Sequence, residues 1–340
     1  MAAHYISKKA FLGMAMVFIV AIASLAGCKS KTTEGERTTQ NEKIAICIGG
    51  APGIPVLLAH EQGIFSKEGL DVTLKKYSAA PSAFEGLFAG ACDMAAVGET
   101  PVVMKSFERR DFSVLATLAT SDDATRIIAN KERGVQRPED LKGKRIFVHK
   151  GSTNHFFLEL FLQKNGLSAK AVTLIFKDEE DVSEALTKGR IDAFAGSQVL
   201  INEPRKALGD KAVVFSSPGL CLITANLLAM NSFIREKPHA VKSVLSALLK
   251  ADEFIEKERP QATKTVSLAL NINAGDMAGI LDSYRWNVVL AQRLLLSFEH
   301  EAQWAIKTGQ TKKSEMPNYL DFVHVDALRT LKPEAVTLIK

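Results

Sequence analysis

Two loops carry the residue types that hold a small polar molecule. Gly151-Ser152-Thr153 opens an amphipathic stretch of helical period, with Phe157, Leu158, Phe161 and Leu162 on its apolar side. The first amides of a helix have no internal partner, and Ser and Thr are good capping residues, so this loop suits an anion or a polar headgroup. For one such loop, an ordinary cap facing solvent is the competing reading. About one hundred residues earlier, Gly49-Gly50-Ala51-Pro52-Gly53 follows a strand in the same way. Matching loops in two copies point to a cleft.

Catalytic constellations are missing from the sequence. It contains no Gly-x-x-x-x-Gly-Lys-Ser/Thr, Gly-x-Gly-x-x-Gly, Gly-x-Ser-x-Gly or His-Glu-x-x-His. The seven histidines, at 4, 60, 149, 155, 239, 300 and 324, lack zinc spacing, and neither a metal nor a cofactor is expected. His149 and His155 flank the 150–154 loop, where ligand contact competes with plain packing. Glu299-His300-Glu301 lies on a helix, where successive residues diverge, so it is no preformed metal site. Three cysteines follow Cys28, at 47, 92 and 221, and an odd number leaves at least one free thiol. Cys47 and Cys221 lie in apolar runs and Cys92 follows a helix-ending Gly. They read as buried small hydrophobes rather than a redox pair, and no disulfide framework is expected.

The elements that position these loops are repeated. Residues 43–98 and 144–196 share one order: a basic residue and a short strand, a Gly loop, a helix, a Gly-Leu pair and a Val-Thr-Leu strand. A second helix then ends Leu-x-x-Gly-x-x-Asp (Leu87, Gly90, Asp93; Leu186, Gly189, Asp192), and an apolar strand runs to Gly98 or Gly196. Strand, helix, strand, helix, strand is the signature of parallel α/β structure, since a parallel return needs a crossover. Two units predict two doubly wound lobes, with ligand beyond the carboxyl ends of the strands. Leu222 to Met230 reads as a further strand. A helix follows from Pro238 to Glu258, ended by Pro260, and a second helical stretch runs from Ile280 through Trp286, Leu290, Leu294 and Trp304, packing back on the first lobe.

The chain's 340 residues and 46% apolar content support a sizeable core and exclude global disorder. Its formal charge of +5 includes Lys8 and Lys9 of the N-terminal arm, and no basic stripe predicts nucleic-acid binding. Residues 1–27 read as an export signal: Lys8 and Lys9, the apolar run Ala10 to Leu25, then the small-residue exit before Cys28. An uncleaved transmembrane anchor is the alternative. Leu25-Ala26-Gly27-Cys28 resembles the bacterial lipobox, which implies acylation (diacylglyceryl, palmitate-type chains) at Cys28 and a membrane lipid anchor. Residues 28–42 form a polar tether without a large apolar residue between 29 and 42.

Taken together, Glu61-Gln62-Gly63-Ile64-Phe65, Glu68-Gly69-Leu70-Asp71-Val72, Gly90-Ala91-Cys92-Asp93 to Gly98, Leu141-Lys142-Gly143-Lys144-Arg145, Gly151-Ser152-Thr153 and Gly189-Arg190-Ile191-Asp192-Ala193 resemble the nitrate/sulfonate/taurine and thiamine-pyrimidine (NMT1/THI5-like) solute-binding proteins of ABC importers. The resemblance implies a type II periplasmic binding protein: lobe 1 over 43–122 and again over 219–340, lobe 2 over 123–218, with crossovers near Ser121 to Arg126 and Pro218 to Leu222. It implies a non-enzymatic, monomeric receptor that closes on a solute and docks on a permease with its ATPase. The contact positions it implies are Gly50, Ala51, Pro52, Ser78, Ser82, Glu99, Thr100, Asp122, Asp123, Ser152, Thr153 and Ser197. Sulfonate-type members carry a Trp-x-Pro-like segment where this chain reads Val199-Leu200-Ile201-Asn202-Glu203-Pro204, a departure that argues against an alkanesulfonate. Glu99, Asp122 and Asp123 would repel an oxyanion and suit a donor or cationic group, unless they cap helices or face solvent. An enzyme on the same scaffold, with Cys221 or His149 as nucleophile or base, and a membrane-held sensor are the other readings.

Overall fold

The computed structural model describes residues 41–176 and 181–339. The signal segment, Cys28 and the tether up to residue 40 lie outside the described residues. The chain runs β1 (Glu42–Gly49), α1 (Ile54–Glu61), α2 (Ile64–Lys67), β2 (Leu70–Tyr77), α3 (Ala80–Phe88), β3 (Met94–Gly98), α4 (Glu99–Ser106) and β4 (Phe112–Ser121). It then forms β5 (Thr125–Asn130), β6 (Arg145–Phe147), α5 (Thr153–Lys164), β7 (Thr173–Ile175), α6 (Val182–Lys188), β8 (Ala193–Ser197), α7 (Gln198–Leu208) and β9 (Ala212–Phe215). The return comprises β10 (Ile223–Met230), α8 (Asn231–Glu236), α9 (Pro238–Lys257), α10 (Arg259–Leu270), α11 (Ala274–Asp282), β11 (Arg285–Ala291), α12 (Gln292–Lys307), α13 (Asp326–Leu331) and β12 (Val336–Thr337).

Two sheets result, ordered β12-β11-β4-β10-β3-β1-β2 and β7-β6-β8-β5-β9. In both, the three strands of the repeat are parallel: β1 lies between β2 and β3, and β6 between β7 and β8. The strand that enters from the other sheet then pairs antiparallel at the equivalent place, β10 against β3 and β5 against β8. Each sheet is therefore mixed, because the chain crosses between the sheets twice, once at 122–124 and once at 216–222.

The repeated Leu-x-x-Gly-x-x-Asp has one physical role in both copies. Gly90 and Gly189 adopt φ of 71° and 70°, the left-handed geometry that ends a helix without a Cβ clash. Three residues on, Asp93 accepts from the Ala45 amide at 2.7 Å, and Asp192 accepts from the Arg145 amide at 2.9 Å. The amides of Asp93 and Asp192 each donate back at 2.8 Å to the carbonyls of Ala45 and Arg145. Each Asp thus sets the third strand beside the first and fixes which loops share an end of the sheet.

The apolar strands are buried on both faces, as flanked sheets require. All ten residues of β4 are buried. Helices α9 and α10 pack against α1, and α12 packs on α4. Of the expected α9 face, Val241, Val244, Leu245, Leu248 and Ile255 enter the core of the first sheet and Leu249 is partly covered.

Three expectations are corrected. Trp286 and Leu290 belong to a strand, not a helix: residues 286, 288 and 290 point one way with period two, and a spacing of four fits both periods. Pro260 does not follow a helix end alone; it occupies the first turn of α10, where a missing amide costs nothing. Cys47 and Cys92 form a disulfide with their Cα atoms 5.7 Å apart, because the β1–β3 pairing brings Cys47 opposite Ala95, close to Cys92. Among the described residues Cys221 is the free thiol.

Candidate functional site

The loops at the carboxyl ends of the repeat strands from both sheets meet around a cavity of about 50 Å³. Gly50, Ala51 and Pro52 follow β1, Ala79 to Pro81 follow β2, and Gly98 ends β3. His149 and Ser152 to Asn154 follow β6, and Ser197 ends β8. Ile223, Thr224 and Ala225 of β10, with Tyr284, complete the wall.

Five of these residues start helical segments. Ala79, Gly98, Ser152 and Ser197 are the N-caps of α3, α4, α5 and α7, and Gly50 precedes the helical turn that runs into α1. The first-turn amides of a helix carry a partial positive charge. Only Ser152 spends its side chain as a cap, accepting from the His155 amide at 3.2 Å. No side chain caps α3 or α7, and the Ser197 hydroxyl is buried without a partner. Among the described residues no Lys, Arg, Asp or Glu lines the cavity. Its positive character therefore comes from backbone, and its apolar character from Pro52, Pro81, Pro101, Leu200 and Ile223.

The two sheets touch at Gly98. A Cβ there would lie 2.5 Å from the Thr153 hydroxyl oxygen of α5, so the close approach requires glycine. Beneath this contact, the Thr224 amide and hydroxyl donate to Glu99 at 2.5 and 3.1 Å.

Gly50, Ala51, Pro52, Ser152, Thr153 and Ser197 of the expected contact set lie in the wall. The other six do not. Glu99 and Thr100 have no exposed surface, since the first residues of α4 turn under the end of the sheet toward β10 and α12. Ser78 is exposed on the outside of its loop, and Ala79, not Ser78 or Ser82, caps α3 toward the cavity. Asp123 is tied to Arg126 at 2.7 Å, and the exposed Asp122 accepts at its carbonyl from the Gly219 amide at 2.9 Å. The Asp123 carboxylate is thus engaged at the crossover and Asp122 is exposed there, the case in which such acids say nothing about the charge of a solute. Thr125, Thr224 and Tyr284 were not legible as wall residues, because they arrive from the crossovers and the return chain, whereas Asn154 belongs to the 150–154 loop already singled out. Thr125 donates to Asn154 Oδ1 at 3.2 Å and leaves the Asn154 amide group directed elsewhere.

The family model described as "NMT1/THI5 like" matches residues 53–262, and the chain belongs to that family. A Bacillus subtilis (strain 168) protein named for aliphatic sulfonate binding is 26% identical over 326 residues, covering 90% of this chain and 93% of the relative. The structure of the alkanesulfonate-binding protein SsuA from Xanthomonas axonopodis pv. citri, bound to MOPS, superposes with TM-score 0.70 at 20% identity, over 86% of this chain and 97% of that one. The desulfurization enzyme DSZB shares the fold at TM-score 0.62 and 12% identity, over 86% of this chain and 99% of that one. The fold is that of the periplasmic binding proteins.

Proposed function

We propose that the protein is an exported, monomeric receptor that captures a small anionic solute between its two sheets and hands it to an ABC permease with its ATPase. The observation that carries this reading is the convergence of five helical starts from both sheets on one cavity that, among the described residues, no Lys, Arg, Asp or Glu lines. The solute's acid group sits against Gly50, Ala51, Ser152, Thr153 and Ser197, and its apolar part against Pro52, Pro81, Pro101, Leu200 and Ile223. A sulfonate fits this division, in line with the names of the relatives. Binding across both lobes favours the closed form, which is the signal a permease can read.

The Cys47–Cys92 bond supports export, since such bonds persist in oxidising compartments. Cys28 carries the lipid that holds the domain at the cell membrane, because several acyl chains replace a spanning helix. Among the described residues no helix is long and apolar enough to cross a membrane. The enzymatic reading loses one of its two groups: Cys221 is outside the cavity wall, and burial pushes its thiol above the usual range, away from thiolate chemistry.

The test is a thermal-shift and small-angle scattering panel of sulfonates, nitrate, carboxylates and uncharged pyrimidines. The reading expects at least one anion to raise the melting temperature and reduce the radius of gyration. Compaction by uncharged pyrimidines alone would defeat it.

A further inference from the structure

Two acids lie buried together beside the cavity without a cation. Glu99 begins α4, α12 packs on α4, and Glu301 of α12 feels the charge of Glu99; neither acid has exposed surface. Glu99 spends Oε2 on Thr224, and Thr100 lies beside Glu301, but among the described residues Glu99 Oε1, the Thr100 hydroxyl and Glu301 Oε2 each lack a partner within hydrogen-bond distance. Ser297 approaches Glu301 Oε1 only at 3.5 Å. Among the described residues, neither carboxylate forms an ion pair with Lys or Arg.

Two unpaired carboxylates in a dry site cannot both ionise cheaply: burial disfavours each charge and each charge disfavours the other. We propose that Glu99 and Glu301 share a proton that is only partly retained near neutral pH, and that an anion entering the cavity drives the pair to full protonation, the added proton coming from water. This rests on the anionic reading of the cavity and adds its regulation. The route is short. Glu99 is held by Thr224 of the wall, and the hydroxyl of Thr153, on the opposite lobe, favours its charged form. An anion against Thr153 and Thr224 therefore stands directly over the acid. Like charges oppose each other, so the anion draws a proton onto the pair, and by reciprocity the proton tightens the anion.

The groups packed around the pair do not supply the proton's counter-charge. Tyr284, Cys221 and Tyr319 feel its field, and burial holds all three in their neutral forms. On α4, Lys105 is bound to Glu85 and Glu108. On α5, His155 faces Glu159. On α12, the His300 ring packs on Phe156. His149, in the cavity wall, is the remaining titratable neighbour of a bound anion. Burial raises both acids, Glu99 to about 7 and Glu301 well above its ordinary value, consistent with a retained proton.

The experiment uses the full chain, with methanesulfonate and taurine as probes. Infrared difference spectra between pH of about 6 and 8 should show a protonated carboxyl C=O stretch in the solute-free protein that E301Q diminishes. Calorimetric titration in buffers of different ionisation enthalpy should show net proton uptake on binding, with apparent Kd rising up to about tenfold per pH unit above the pair's midpoint. E301Q should still bind, with uptake reduced and a shallower pH profile, since Glu99 alone remains to titrate. A folded wild type lacking the carboxyl band, or uptake undiminished in E301Q, overturns the proposal. If E301Q does not fold, the wild-type band and buffer dependence decide alone. If neither probe binds while nitrate or a carboxylate does, the sulfonate assignment fails and that anion replaces it in the titration. The carboxyl band decides the shared proton whatever the solute.

Discussion

The indole Nε1 of Trp304 donates to Oε2 of Glu159 at 2.8 Å, joining α12 on the first sheet to α5 on the second. Glu159 also lies 3.3 Å from Nε2 of His155, and the rings of His155 and Phe156 meet Trp304 edge-on at 5.5 and 5.1 Å. Aromatic packing and a charge-assisted hydrogen bond thus hold the two bodies together at one point. Trp304→Phe keeps most of the ring and deletes the donor. Urea unfolding should report a loss of about 1.5–3 kcal/mol, the range for a hydrogen bond to a charged group.

The Cys47–Cys92 bond closes a loop whose ends are 45 residues apart. The chain-entropy estimate for such a loop is about 4 kcal/mol. The double variant Cys47→Ala, Cys92→Ala should therefore lose up to about that much stability in denaturant titration, and reduction should lower the wild-type melting temperature but not the variant's.

Gly98 sets how closely the lobes approach. Gly98→Ala places a methyl against the Thr153 oxygen, so the closed form is opposed while the separated lobes are untouched. Solute affinity should fall by at least about tenfold, equivalent to ~1.4 kcal/mol against closure, with the solute-free melting temperature nearly unchanged.

The positive wall makes a charge test available. Ser197→Asp adds a carboxylate at the start of α7, within the cavity. Affinity for an anion should drop by about a hundredfold or more, from direct repulsion in a site with little water. Ser197→Ala should cost far less.

The raised acids also shape stability against pH. A carboxyl whose folded pKa exceeds its unfolded value, 4.5 for Glu99 and 3.8 for Asp252, binds its proton more tightly when folded. That contribution is full below the unfolded value and is lost as pH rises through the folded pKa, about 7 for Glu99 and about 6 for Asp252. Unfolding free energy should decline between about pH 5 and 8. E301Q should flatten the decline, and Asp252→Asn should remove a lower-pH part of it. In acid the opposite limb belongs to Asp192: burial alone would raise it, but the Arg145 hydrogen bonds win and hold it low, so its stabilisation is lost as pH falls.

The repeat was legible because its markers act locally. Gly90 and Gly189 end helices, and Asp93 and Asp192 bond the neighbouring strand, so the same letters recur wherever the same geometry does. The loops after β1, β6 and β8 followed from that order. What the sequence hid depends on which strand lies beside which. Cys47 meets Cys92 only because β3 pairs with β1, and Thr224 and Tyr284 reach the cavity only because the chain returns to the first sheet. Glu99 misled for a related reason. An acid after a strand-end Gly reads as facing the cleft, whereas the start of α4 turns it under the sheet onto Thr224.

Calorimetric titration of the purified full chain with small anions, uncharged pyrimidines and organic cations tests the central claim most directly. The account predicts one site per chain for an anion, lost in Ser197→Asp. Saturable binding of a cation alone, unaffected by that substitution, would contradict it.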